Sequence, residues 1–478
     1  MNIYNFDSTL ADALIAQIEA DAPKDIEQIK ELYEKFNPSE FLEGEKYYRG
    51  ESKILKRQIE KYENGSKSPD DEATNKKIVS GLHKILVDQK VAYLSGEPMS
   101  FGSRSDSKDI LVTLEELIGE SWEDTLPELI KEASNKGKGW LHPFVDENGD
   151  FDYMIIGAEQ LIPIYDSKRR FKLTAAIRFY AVGEDHVKLE FWTDTDVTYY
   201  EMIDGELYLD VTYEVNPAGH FSTADGVQQK SWERVPFIKF SNNAEELSDL
   251  HFNKSAIDEF EELLSDGQNT LSDMQSLIYV LKGYEGESLS ELMTQLKRYK
   301  AVSVDENGGV DTLKAEVPTE AYKLQVEILR KMIITAGQGV DPSPDVIGEA
   351  PSGVALNHLY ALLDMKASIM ERKFTLALRD FMYFIRMYCE LSGRGQFDDR
   401  DITFTFNKMI LTNEAEIIQM ARDSVGVISD TTILENHPWV SDVGQEQERL
   451  AKQKEVELSA YDSRYGDLGG EDNGETDS

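Results

Sequence analysis

Between Ala355 and Leu391 the chain contains neither Pro nor Gly. At about 1.5 Å per residue this run predicts a helix roughly 55 Å long, far beyond the usual globular length. Ahead of it lies QGVDPSPDVIGEAPSG, Gln338 to Gly353, where Pro342, Pro344 and Pro351 alternate with glycines. That composition predicts an irregular segment, permissive at Gly337, Gly339 and Gly348 and stiff at the prolines. A helical pattern over Thr319 to Thr335 leads into it. A long strut with a loop at its head indicates a scaffold rather than a substrate pocket.

A chain of 478 residues exceeds what one hydrophobic core serves, so several domains are expected. The single Cys, Cys389, excludes an intramolecular disulfide framework and fits a reducing compartment. Inside the long helix it reads as a packed small hydrophobe, and His358 as a packing histidine. The segment MNIYNFDSTLADALI lacks a basic region before an apolar run, so no secretory signal is expected, and no apolar stretch predicts a membrane span. Ninety acidic against 50 basic residues give a net charge of −40. Such a surface repels nucleic-acid phosphates and argues against a sequence-specific DNA binder. It fits solubility alone, or a wall past which a polyanion slides.

The patterning predicts an α+β, mainly helical fold. Helices are expected over 10–36, 40–63, 75–94, 108–119 and 122–136. Period-2 character over 140–240 predicts a strand-rich region, with turns at Asn148-Gly149 and Asp204-Gly205. From Leu247 to about Val280 an apolar stripe of Ile257, Phe260, Leu264 and Leu271 predicts a helix packed on a partner. A small insert, 279–317, then separates this helix from the returning one. Residues 401–406 alternate as a strand. Helices follow over 413–424, 430–436 and 442–460, and the acidic 462–478 should be disordered.

No motif for chemistry is present. The order GxxxxGK[ST], HExxH and GxSxG are all absent, and the seven His have no ligand spacing. Asp341 and Asp345 are too few carboxylates for a metal site. No cofactor and no enzymatic activity are expected. On the return helix Lys323, Arg330 and Lys331 read as a solvated face, or as a ring of charge if that helix lined a channel.

Three stretches carry a family resemblance. The first is YYRG, Tyr47 to Gly50, with NKKIVSGLHKILVDQKVAYLSGEP, Asn75 to Pro98, where Asn75, Val87, Asp88, Lys90, Tyr93, Leu94, Gly96 and Pro98 match. The second is SAIDEFEELLSDGQNTLSD, Ser255 to Asp273, through Ile257, Asp258, Ser265, Asp266 and Asn269. The third is DSVGVISDTTILENHPWVSDVGQEQERL, through Gly426, Ile428, Ser429, Thr432, Pro438, Val440, Asp442, Glu446, Glu448 and Arg449. In order and spacing the chain resembles the portal proteins of tailed bacteriophages, in the branch typical of long-tailed phages of Gram-positive hosts. It departs near Phe260, where the family favours a Tyr-Asn or Tyr-Asp, and at Gly81, where a bulkier or polar residue is usual.

The resemblance implies a wing (1–240, with the long helix and strand of 354–410), stem helices (241–278 and 318–336), a clip (279–317), a tunnel loop (337–353) and a crown (411–461). It implies a homo-dodecamer, or a 13-mer in isolation, at one capsid vertex in the virion, made in the host cytoplasm. Double-stranded DNA would pass non-specifically through the channel. Partners would be the terminase large subunit, a head–tail adaptor, and the major capsid and scaffolding proteins. The tunnel loop would present Gln338, Gly339, Asp341, Pro342, Ser343, Pro344, Asp345, Glu349 and Gly353. Lys323, Arg330 and Lys331 would face DNA. Ile257, Phe260, Leu264 and Leu271 would pack neighbouring stems. Glu285, Glu287, Lys297, Arg298 and Lys300 would dock the motor on the clip. The competing reading is a minor capsid or scaffolding protein without a channel.

Overall fold

The Pro- and Gly-free run is one helix, Gly353–Ser392, in the computed structural model of the chain. The structure describes residues 25–63, 66–70, 73–166, 172–222, 228–274, 278–282, 309–313, 319–341, 353–409, 414–440 and 443–465. The chain divides into two units. The first comprises Met1–Asp341 and Leu362–Met409; the second comprises Pro342–Ala361 and Ile410–Ser478.

In the first unit the long helix buries one face. Leu363, Ala367, Met370, Phe374, Leu378, Phe381 and Ile385 are all buried, at spacings of three or four. Phe374 meets Phe240 with ring centroids 4.9 Å apart, and Phe381 stacks on Trp122 at 5.6 Å. The Tyr383 hydroxyl donates to the Trp232 carbonyl at 3.0 Å, which ties the helix to the strand-rich region.

That region contains an antiparallel meander of Leu161–Tyr165, Leu173–Ala181, His186–Trp192, Asp196–Ile203 and Glu206–Leu209, joined by the short Ala218–Gly219. Asp204 and Gly205 turn it with φ of 51° and 80°, as the Asp-Gly signal requires. A second sheet pairs Lys138–Val145 with Phe151–Ile156 and with Ile238–Ser241. Helix Ile26–Lys35 covers the meander through Ile29, packed among Ile177, Leu189 and Met202.

Several boundaries differ from the sequence expectation. Residues 10–24 lie outside the described residues. The helix expected over 40–63 ends at Tyr48, and Glu60–Glu63 pairs as a strand with Ser66–Pro69. The helix expected from Asn75 starts at Leu82, because Gly81 holds a left-handed φ of 66°. The outgoing helix is Lys254–Met274 and not 247–280. Ahead of it Asn243 exchanges side-chain hydrogen bonds with both backbone groups of Leu247, at 2.8 and 3.0 Å, and so competes with helix. Beyond it Ile278–Lys282 pairs antiparallel with Gly309–Leu313, so the insert is closed at its base by a strand pair. The return helix is Thr319–Ala336, and Ile402–Thr405 pairs with Ser100–Ser103.

The second unit contains helices Glu414–Asp423, Asp430–Glu435 and Val443–Tyr465. Ser429 caps the middle one by accepting from the Thr432 amide at 3.2 Å. The last helix extends past residue 462, where disorder was expected to begin.

Candidate functional site

The outgoing helix, the return helix and helix Leu82–Ser95 meet at the root of the outgoing helix. Ile257 and Phe260 pack there with Leu86, Leu250, Leu329 and Ile333, while Leu264 lies at the margin. This corrects the expectation that Ile257 and Phe260 face a neighbouring subunit. Both are buried inside their own protomer, because the outgoing and return helices pair with each other and with helix Leu82–Ser95. Gly267 permits the close crossing: a Cβ there would overlap Tyr322, whose hydroxyl donates to the Leu263 carbonyl at 3.2 Å. Leu271 remains 51% exposed.

The opposite face of the outgoing helix is polar and occupied. Residues 75–80 run along it, and alternate amides are taken up by its side chains. The Lys76 amide donates to Asn269 Oδ1 at 2.8 Å, the Ile78 amide to Ser265 Oγ at 3.0 Å, and the Ser80 amide to Glu261 Oε1 at 2.8 Å. The geometry explains the register. Four helical residues advance about 6 Å, and two extended residues advance about 6.6 Å, so acceptors every fourth residue meet donors every second. Glu261, buried, also accepts from the Ser80 and Ser52 hydroxyls. Arg57 pairs with Asp266 at 2.6 Å, and the Tyr47 hydroxyl donates to Asp258. The motif residues Tyr47, Asp258, Ser265, Asp266 and Asn269 therefore act together as the clamp of this helix.

The return helix ends against the same framework. Gly337 and Gly339 are places of close approach: a Cβ on either would overlap Leu86, and on Gly339 also Gln89. Gln89 donates to the Val340 carbonyl at 2.7 Å and accepts from its amide at 2.9 Å. Asp341 pairs with Arg330 at 3.1 Å. The start of the segment, Gly337 to Asp341, is thus packed down, where the sequence suggested permissive glycines. Pro342, Ser343, Pro344, Asp345 and Glu349 lie outside the described residues, as do Glu285, Glu287, Lys297, Arg298 and Lys300. Gly353 begins the long helix.

Among the three cations of the return helix, Lys323 and Lys331 are exposed, while Arg330 is half-buried on Asp341. The same helix exposes an apolar stripe at four-residue intervals: Leu324 at 57%, Ile328 at 51% and Met332 at 47%. The long helix exposes Leu362, Met365, Ile369 and Leu376. His358, expected to be packed, is exposed, and Cys389 is buried as expected.

Sequence reasoning missed a buried charge cluster. Lys90 and Lys366 both approach Asp249 Oδ2, at 2.7 and 2.8 Å. Lys90 also donates to Asn242 Oδ1 at 2.7 Å, and Lys366 to the Gly337 carbonyl at 3.0 Å. Burial pulls Lys90 down to about 7 against the attraction of Asp249. Burial pushes the Asp249 carboxyl up, but Lys366 and Lys90 together outweigh it and hold the group well below the carboxylate range. The available signal was Lys90 itself, which lies between Leu86, Val87, Tyr93 and Leu94 on the buried face of its helix.

Among the described residues no group of His, Cys, Asp or Glu is arranged to hold a metal ion, and no helix is long and apolar enough to cross a membrane. Residues 34–459 match the family model "Phage portal protein, SPP1 Gp6-like". The portal protein of Bacillus phage SPP1 is 38% identical over 477 residues, covering 98% of this chain and 93% of that protein. The portal protein of Clostridium phage phiCD119 is 31% identical over 452 residues, covering 89% and 95%. A solved gene transfer agent virion contains a chain of 12% identity and TM-score 0.44, with 75% of this chain and 90% of that one covered. The family match spans the clamp, the outgoing and return helices and the long helix, and the chain belongs to the SPP1 Gp6-like phage portal proteins: non-catalytic proteins of the virion that form the ring channel at the capsid vertex through which DNA is packaged and ejected.

Proposed function

We propose that this chain closes into a homo-dodecameric ring whose subunits meet through the exposed stripe of the return helix. The observation that carries this reading is Leu324, Ile328 and Met332, three large apolar side chains on one face, each about half exposed among the described residues. A heterologous contact repeated around an axis covers such a stripe on every subunit, provided the rotation closes. Leu271 on the outgoing helix and Met365 and Ile369 on the long helix supply further uncovered apolar surface. In this arrangement the outgoing and return helices form the stem, 279–317 the clip, 337–353 the tunnel loop and 411–461 the crown. Lys323 and Lys331 are the cations available to passing phosphates, while the net charge of −40 keeps the wall from holding them. The clip is the docking surface for a terminase motor and later a head–tail adaptor, and double-stranded DNA passes non-specifically. The major capsid and scaffolding proteins are neighbours at the vertex.

The test is Ile328→Asp with Met332→Asp, examined by native mass spectrometry. Two carboxylates on a surface that becomes buried only on assembly should leave folded monomers or open oligomers. Closed rings of unchanged mass would remove this stripe from the interface.

A further inference from the structure

We infer that Lys366 is a positioning residue for the channel loop, fastening the end of the return helix to the long helix through buried Asp249. Four chain segments meet at this point. Lys90 comes from helix Leu82–Ser95, Asp249 from the turn before the outgoing helix, Lys366 from the long helix, and the Gly337 carbonyl from the end of the return helix. Lys90 is 0% exposed, and the Asp249 and Lys366 side chains are 6% and 12% exposed.

Two lysine amines share one carboxylate, so Asp249 alone does not satisfy both. Buried amine hydrogens that one carboxylate cannot serve need further acceptors. Asn242 Oδ1 serves Lys90, and the Gly337 carbonyl serves Lys366. That carbonyl follows directly on Ala336, the last residue of the return helix, where unpaired carbonyls and the negative end of the helix dipole attract cations. The bond to Gly337 therefore belongs to the hydrogen-bond satisfaction of the core. The loop root cannot lift from the long helix without leaving Lys366 short of an acceptor. Gln89 on Val340 and Arg330 on Asp341 fix the next residues in the same way, so Gly337 to Asp341 form a fixed base. The inference rests on the channel reading only in its packaging arm.

The experiment compares Lys366→Met with Lys90→Met in assembled rings. Each leaves one lysine paired with Asp249, but only the first removes the bond to Gly337. Amide exchange at Gly337, Gly339 and Val340 should quicken about tenfold to a hundredfold in Lys366→Met, the factor for losing one charge-assisted hydrogen bond. It should hardly change in Lys90→Met, and Lys366→Arg should recover part of the protection. DNA packaging by Lys366→Met rings should slow. Equal exchange in the two Met variants would reduce the cluster to core stability and overturn the inference. So would wild-type packaging by Lys366→Met rings with a loosened root. If neither Met variant folds, the unaltered ring decides: these amides must exchange far more slowly than surface amides, and rapid exchange overturns the inference. Failure of unaltered rings to package would instead count against the channel reading.

Discussion

Replacing Glu261 by Leu removes the acceptor that ends the clamp on the outgoing helix. The Ser80 amide at 2.8 Å, the Ser80 hydroxyl at 2.8 Å and the Ser52 hydroxyl all lose their partner at once. A buried donor left unpaired costs about 1–3 kcal/mol. The hydroxyls can rotate toward other acceptors, whereas the amide cannot, so the loss should be about 3–5 kcal/mol. At 1.4 kcal/mol per factor of ten, the Ser80 and Ile78 amides should exchange about a hundred to a few thousand times faster. The assay is native-state amide exchange, read beside an amide of the meander such as Leu189, which should not respond. Glu261→Gln keeps one acceptor oxygen and should stay within about tenfold of the unaltered protein. Equal damage from Gln and Leu would refute the reasoning, because the carboxylate charge and not its acceptor geometry would then hold the strap.

Asp249→Asn leaves two buried lysines without an anion and should destabilise the first unit by about 3–5 kcal/mol, clearly more than Lys90→Met; urea denaturation midpoints rank the two. Lys90 has a folded pKa lowered from the ordinary lysine value to about 7, so between pH 7 and about 10 the unfolded chain binds more protons. Stability should rise with pH across that window, and the rise should vanish in Lys90→Met; an unchanged slope in that variant assigns it elsewhere. Gly339→Ala forces a Cβ into Leu86 and Gln89 and should cost about 1–3 kcal/mol by overpacking, whereas a neutral thermal shift would show that the loop root is loose. Phe260→Asp buries a charge inside the protomer and should abolish folding; folded monomers would restore Phe260 to the subunit interface.

Much of this fold was legible because hydrophobic period reports burial. The long helix, the helices at Lys108–Ile118 and Trp122–Lys136, and the Asn148-Gly149 and Asp204-Gly205 turns all followed from local pattern. What failed did so where backbone groups are satisfied from far away. Residues 75–81 looked helical because Ile78 and Leu82 keep helical spacing. Their amides instead bond to Asn269, Ser265 and Glu261, nearly two hundred residues on, and no local pattern records those acceptors. Ile257 and Phe260 read correctly as an apolar stripe but were given the wrong partner. Periodicity states that a face is covered, not which chain covers it. The half-exposed stripe, Leu324, Ile328 and Met332, lies on the other helix of the pair, where the sequence reading singled out only Lys323, Arg330 and Lys331. Tyr47, Ser265, Asp266 and Asn269 carried the family resemblance, and the clamp gives each of them a physical task.

If the half-exposed return-helix stripe joins neighbouring subunits, the protein closes into a ring around a channel. The most direct measurement is the mass of the purified protein in solution together with top views in negative stain. Particles of a single closed stoichiometry with a central hole wide enough for duplex DNA are the predicted result. A stable monomer or dimer at all protein concentrations, or a solid particle with no central hole, would contradict the account.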